Sequence, residues 1–119
     1  MKLTYPNMRA ELVEHLADLS DPDKIEHGGP TGSLLDYAVN FLFDDTVLAE
    51  DAKQAVGWFL RDEAEAAAVQ AITDALNRVF DVHGTDKSDA EYTRCAEWGA
   101  VAASAQAAHR LLVRADEQA

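Results

Sequence analysis

Two pairs of carboxylates stand three residues apart in stretches of the chain that are typical of helices. Glu11 and Glu14 form the first pair, and Asp62 and Glu65 form the second. Because residues three apart lie on one face of a helix, each pair presents two carboxylates side by side. Oxygen ligands of this kind hold Mg²⁺. One hypothesis is therefore a magnesium-dependent all-α hydrolase of nucleotides, with Mg as its cofactor, although the same spacing is common on solvated helix faces.

The densest group of acids lies near the middle of the chain, among aromatic and aliphatic residues. These acids are Asp44, Asp45, Glu50 and Asp51. Interfaces often combine an apolar anchor with a charged rim that speeds encounter with an oppositely charged partner. We therefore predict a surface that binds a basic protein partner, without a cofactor. The competing interpretation is that these acids end helices and face water. A third hypothesis is mimicry of nucleic acid, with carboxylates on one face filling a basic groove.

The histidines and the single cysteine show no spacing that is typical of a zinc site. His15, His27, His83 and His109 are far apart, and no two of them stand four residues from each other. Cys95 cannot form an intramolecular disulfide, and a small buried hydrophobe is its predicted role. This cysteine usage suits a reducing compartment.

The composition is that of a globular and strongly acidic protein. Of the 119 residues, 48% are hydrophobic and 27% are charged, and 22 acidic against 10 basic residues give a net charge of −12. Phosphate backbones and anionic membranes repel such a chain, so we expect neither direct nucleic-acid binding nor a membrane partner. Residues 1–5 lack the pattern of a signal peptide, and no apolar run approaches the ~20 residues of a membrane span. These features favour a cytoplasmic protein.

Apolar residues recur at helical spacing along most of the chain, and no stretch alternates in the manner of a strand. Helices are predicted over residues 6–19, 33–44, 51–57, 60–82, 88–95 and from 98 onward. The helix over 33–44 is apolar around most of its circumference, which favours the central position. Residues 21–31, with Gly28 and Gly29, are predicted to be a loop. The result is an all-α fold, a single domain over residues 1–119 with one compact bundle of four to six helices and no significant sheet. Its alanine-rich helices leave open whether they pack within one chain or across a homodimer.

Several short segments along the chain carry a resemblance. They are Phe41-Leu42-Phe43-Asp44-Asp45-Thr46, Ala55-Val56-Gly57, Leu60-Arg61-Asp62-Glu63-Ala64-Glu65, Asp89-Ala90-Glu91-Tyr92 and Trp98. Together they span most of the chain and resemble a small family of uncharacterised, acidic, helical actinobacterial proteins. Such short acidic proteins are loosely similar to bacterial immunity proteins, which neutralise a toxin. The resemblance implies an immunity- or inhibitor-like binding module and no particular enzymatic activity.

Overall fold

A computed structural model describes residues 2–119, and within them the chain is helical without strands. The helices are α1 (Pro6–Leu19), α2 (Pro22–His27), α3 (Leu34–Val39), α4 (Leu48–Asp51), α5 (Glu63–His83), α6 (Asp89–Thr93) and α7 (Trp98–Gln118). A π-helical turn, Asn40–Asp45, continues α3, and a 3₁₀ turn, Ala52–Ala55, continues α4. The all-α prediction is confirmed. The predicted number of four to six helices is too low, because the described chain contains seven.

The additional helix, α2, lies in the segment predicted to be a loop. The Asp21 carboxylate accepts hydrogen bonds from two backbone N–H groups of the first turn, and Pro22 occupies the first helical position. Ile25 is fully buried and anchors the helix to the core. The loop prediction for residues 21–31 is therefore wrong over Pro22–His27. A cap and one buried side chain hold this helix without any apolar periodicity.

The two longest helices, α5 and α7, pack along each other and form the centre of the fold, and α1 packs across α7. Their fully buried positions include Val69, Ile72, Leu76 and Val79 on α5 and Val101, Ala105, Ala108 and Leu112 on α7. The alanines let the two helix axes approach closely. The helix over residues 33–44, which was expected to be central, instead packs against α1, and its Tyr37 is 43% exposed.

A buried ion pair joins α1 to α5. Arg9 is 4% exposed and Glu65 is 1% exposed, and two hydrogen bonds of 2.8 and 2.9 Å connect the guanidinium to both carboxylate oxygens. Arg9 also donates to the carboxylate of Asp116 near the end of α7, over 2.8 Å. Burial by itself lowers the pKa of Arg9, but the hydrogen bond and charge of Glu65, then those of Asp116, outweigh it and raise the pKa above its usual value. The charged guanidinium therefore ties together the three longest helices.

Candidate functional site

Asp44 and Asp45 lie at the end of the π-helical turn Asn40–Asp45 and are exposed. Thr46 ends this turn, because its hydroxyl donates a hydrogen bond of 2.9 Å to the carbonyl of Phe41 and accepts one from the backbone N–H two residues later. The wider winding of a π-helix changes the direction of the side chains that follow it, and such turns are frequent at functional sites. Both aspartates belong to this turn and lie at the surface.

A cleft of about 390 Å³, which we call the aromatic cleft, opens beside these aspartates. Asp44, Asp45 and Glu50 line it together with the rings of Tyr5 and Trp58. The two rings pack edge to face with centroids 6.4 Å apart, and they are 48% and 42% exposed. A hydrogen bond of 2.7 Å from the N–H of Tyr5 to the carbonyl of Trp58 holds the two segments together. The cleft thus joins three of the predicted partner-binding carboxylates to two accessible aromatic rings.

Asp51, the fourth acid predicted for this surface, does not line the aromatic cleft. Its carboxylate accepts a hydrogen bond of 3.1 Å from the backbone N–H of Lys53 and caps the 3₁₀ turn Ala52–Ala55. For Asp51, the structure therefore agrees with the competing interpretation, in which these acids lie at helix ends and face water.

A second cleft of about 450 Å³, which we call the acidic cleft, lies next to the first. Glu11, Glu14 and Asp18 of α1 line it, and Asp45 lines both clefts. We define the acidic face as the carboxylates of the two clefts: Glu11, Glu14, Asp18, Asp44, Asp45 and Glu50. In the part of the chain that the structure describes, neither cleft is lined by a lysine or an arginine. The nearby Lys24 is engaged with Asp18 over 2.7 Å, which also raises the pKa of the lysine.

The carboxylates of the magnesium hypothesis divide between two environments. Glu11 and Glu14 belong to the acidic face, whereas both oxygens of Glu65 bind Arg9. Asp62 caps α5 by accepting a hydrogen bond of 2.9 Å from the backbone N–H of Glu65. Among residues 2–119, these four acids do not form a group of three or more ligand atoms within 4.8 Å of one another. Asp62 and Glu65 therefore serve the helix start and the buried ion pair.

A different set of metal-ligating side chains does meet in the structure. His83, Cys95 and Glu97 each offer one ligand atom, and these atoms all lie within 4.8 Å of one another. They come from the end of α5 and from the turn before α7. No spacing in the sequence indicated this meeting, since it depends on how the two long helices pack.

Tyr5 and Trp58 were not among the residues predicted to form a binding surface. A weak signal was present, because Tyr5 precedes the first helical proline and Trp58 lies in the connection between the 3₁₀ turn and α5. Large aromatic residues outside an apolar helical stripe have no predicted core position, and exposed aromatic rings are enriched in interfaces. The edge-to-face contact between them was not predictable from spacing.

The fold and the clefts describe a small all-α protein whose surface combines carboxylates with exposed aromatic rings. No helix in residues 2–119 combines the length and the apolar character that crossing a bilayer requires. The chain belongs to the family described as Domain of unknown function (DUF7945), whose profile matches residues 3–119. No curated protein and no solved structure matches the chain. This membership agrees with one part of the resemblance, namely that the family is an uncharacterised one.

Proposed function

We propose that this protein is a binding module that recognises a basic protein partner through the acidic face, with the aromatic cleft as its anchor point. The observation that carries the proposal is the composition of that cleft. Asp44, Asp45 and Glu50 share about 390 Å³ with the exposed rings of Tyr5 and Trp58, and no cationic side chain of residues 2–119 lines the cleft.

The cleft suits an arginine or lysine side chain of the partner. A cation over the face of a tryptophan or tyrosine ring gains about 0.5–1 kcal/mol at an exposed site and more when water is excluded. The carboxylates beside Trp58 supply charge-assisted hydrogen bonds to the same cation. Tyrosine and tryptophan are also among the residues that contribute most to interface energies when they become buried. The two kinds of side chain therefore act on one cationic group.

The net charge of the chain extends the range of this recognition. A charge of −12 creates an attractive field for a basic partner, and the acidic face concentrates six carboxylates around the clefts. Such fields raise association rates and are weakened by salt. The same field opposes direct nucleic-acid binding.

We further propose that the protein acts by occupancy, as an immunity- or inhibitor-like protein of the bacterial cytoplasm. The resemblance to acidic helical proteins of actinobacteria supports this class. Action by occupancy needs only a surface on which the partner docks. The carboxylates and aromatic rings of the acidic face and the aromatic cleft provide such a surface without a catalytic group. The sequence also left open a homodimer, and sedimentation of the isolated protein would measure whether two copies associate.

The test compares two variants that remove the same number of negative charges. In the first, Asp44→Asn, Asp45→Asn and Glu50→Gln neutralise the aromatic cleft. In the control, Glu63→Gln, Asp81→Asn and Asp86→Asn neutralise exposed acids that line neither cleft. Each protein is used to capture partners from the native cell, followed by mass spectrometry.

We expect basic proteins that bind the wild type and the control variant but not the cleft variant. For such a partner, stopped-flow association should be slower with the cleft variant and should lose part of its salt dependence. Equal recovery with both variants, or recovery of acidic proteins only, would contradict the proposal. The Trp58→Ala variant separates the aromatic contribution, because it leaves the charge unchanged and should mainly increase the dissociation rate.

Magnesium-dependent hydrolysis of nucleotides through Glu11, Glu14, Asp62 and Glu65 remains the competing prediction. It requires Glu65 to leave Arg9 and Asp62 to leave its capping bond. Calorimetry with MgCl₂ and a nucleotide turnover assay test it directly. Turnover that is lost in Glu11→Gln and Glu14→Gln variants would favour the enzyme over the binding module.

A further inference from the structure

His83, Cys95 and Glu97 lie at the junction between α5 and α7, and none of them lines the aromatic cleft or the acidic cleft. His83 is the last residue of α5, and Gly84 ends that helix with φ of +80°. Cys95 and Glu97 lie in the turn between α6 and α7. All three side chains are half-buried, so they are accessible to a small ion while being held by their surroundings.

The distances among the three ligand atoms suit a transition-metal ion. The Nε2 atom of His83 lies 2.5 Å from Oε1 of Glu97, and all three ligand atoms are within 4.8 Å of one another. Around tetrahedral zinc, with bonds of about 2.0–2.3 Å, neighbouring ligand atoms lie about 3.3–3.8 Å apart. A metal bound by His83 and Glu97 would replace their hydrogen bond, and Nε2 and Oε1 would have to move apart by about 0.8 Å to reach this spacing.

Neighbouring residues hold the site in place. The hydroxyl of Tyr92 donates a hydrogen bond of 2.7 Å to the carbonyl of Gly84, which fixes the chain directly after His83. Tyr92 is 4% exposed and lines a cleft of about 360 Å³ together with His83 and Cys95. Sites whose supporting residues are ordered before binding lose less entropy when the ligand arrives.

Two of the cationic side chains near the site, Arg94 and Lys87, are paired with carboxylates outside it. Arg94 binds Glu26 over 2.5 Å, and Lys87 lies 4.0 Å from Glu91.

We propose that His83, Cys95 and Glu97 bind a divalent transition-metal ion of the zinc class and thereby join the end of α5 to the start of α7. Imidazole, thiolate and carboxylate are the three ligand types that Zn²⁺ accepts, whereas Mg²⁺ prefers oxygen ligands alone. Three protein ligands leave the fourth tetrahedral position to water. Binding requires the thiol of Cys95 to release its proton to solvent as the metal–sulfur bond forms. It also requires Nε2 of His83 to give up the proton that it donates to Glu97, so that the neutral ring binds through Nε2 and carries its proton on Nδ1.

Titration of the reduced, chelator-treated full chain with Co²⁺ tests the proposal. Cobalt bound to a thiolate shows charge-transfer absorption in the near ultraviolet and d–d bands in the visible, so the spectrum reports the Cys95 sulfur directly. We expect one Co²⁺ per chain, and displacement of the cobalt bands by Zn²⁺. The Zn²⁺ affinity then follows from competition with a chromophoric chelator.

The variants Cys95→Ser and His83→Gln should each weaken Zn²⁺ binding at least about tenfold, since even changes outside the ligand shell cost 10–100-fold. The control His109→Gln removes a histidine from another part of α7 and should bind as the wild type does. Zn²⁺ should also raise the unfolding temperature of the wild type and the control, but not that of the Cys95→Ser variant.

Two results would overturn the proposal: a cobalt spectrum of the wild type without the thiolate band, or equal Zn²⁺ affinity in the wild type and both ligand variants. The first readout uses only the wild-type chain, so the test does not depend on the folding of a variant. The site shares no residue with the acidic face. The result of the metal-binding experiments is therefore independent of the proposed partner binding.

Discussion

The guanidinium of Arg9 and the carboxylate of Glu65, 56 residues apart in the sequence, form two hydrogen bonds in the interior of the protein. The backbone N–H of Arg61 donates to the same carboxylate over 2.6 Å, and Arg9 also donates to the carbonyl of Phe59 over 3.0 Å. The pair thus satisfies backbone groups at the start of α5 and connects them to α1. Because both side chains are buried away from water, each charge is stabilised by the other and not by solvent.

Removing one member of this pair should destabilise the protein strongly. Arg9→Met leaves the carboxylate of Glu65 buried without its cation, and we expect the free energy of unfolding to fall by about 3–5 kcal/mol in urea titrations. The double variant Arg9→Met/Glu65→Leu should recover much of that loss, because no isolated charge remains. As a control, Arg61→Met removes a pairing with the half-exposed Asp116 and should cost below about 1 kcal/mol. A double variant as unstable as Arg9→Met would contradict this account.

The two tryptophans should differ in their accessibility to a quencher. Trp58 is 42% exposed and Trp98 is 1% exposed. In the Trp58→Phe variant, the remaining emission should be shifted to shorter wavelength and should resist acrylamide. The free energy of unfolding should change by less than about 1 kcal/mol, since the ring lies at the surface. Efficient quenching in this variant would show that Trp98 is not buried.

The helix that replaced the predicted loop provides a third prediction. Asp21→Ala removes the N-cap of α2 and should lower the free energy of unfolding by about 1 kcal/mol. Ile25→Ala removes its only buried side chain and should cost about 2–4 kcal/mol. Denaturant titrations measure both, with Asp23→Ala as an exposed control in the same turn. If Ile25→Ala were as mild as the control, the helix would not be anchored to the core.

The capping box of α6 predicts a defined dependence on pH. The hydrogen bond from the backbone N–H of Ser88 is the largest cause that lowers the pKa of Glu91 below 4.5. A carboxyl group whose pKa is lowered by folding adds stability above its unfolded pKa, and this contribution disappears as the pH falls through the native pKa. Glu91→Gln keeps an acceptor oxygen without the charge.

Unfolding temperatures of the wild type and the Glu91→Gln variant, measured between about pH 3 and pH 7, test this dependence. The wild type should be more stable above pH 4.5, and the difference should shrink below pH 4.5 and vanish once the pH has fallen below the lower native pKa. A difference that stays constant over the whole range would show that the charge of Glu91 plays no part.

The sequence by itself determined the helices, because the signals for a helix are local. Apolar periodicity located α1, α5 and α7 to within about three residues, and capping residues located the starts of α3 and α6. Local composition also identified the acidic segment around Asp44. The missed α2 shows the limit of periodicity for a helix of six residues. The buried pair of Arg9 and Glu65 was not predicted, although charged side chains are almost never fully buried unless they are paired.

Only the tertiary structure decided which of these side chains meet. Trp58 packs against Tyr5, which lies 53 residues earlier in the sequence, and His83 contacts Glu97, which lies 14 residues later. Both contacts form because the backbone between the two residues reverses direction. The distance between such groups depends on helix packing and on the π-helical turn, neither of which has a local sequence pattern. The same packing assigned Glu65 to the buried ion pair and Asp44 to an open cleft. The burial of a carboxylate and its distance from other side chains distinguish a structural carboxylate from one that is free to bind a partner. Both quantities are set only when the helices pack together.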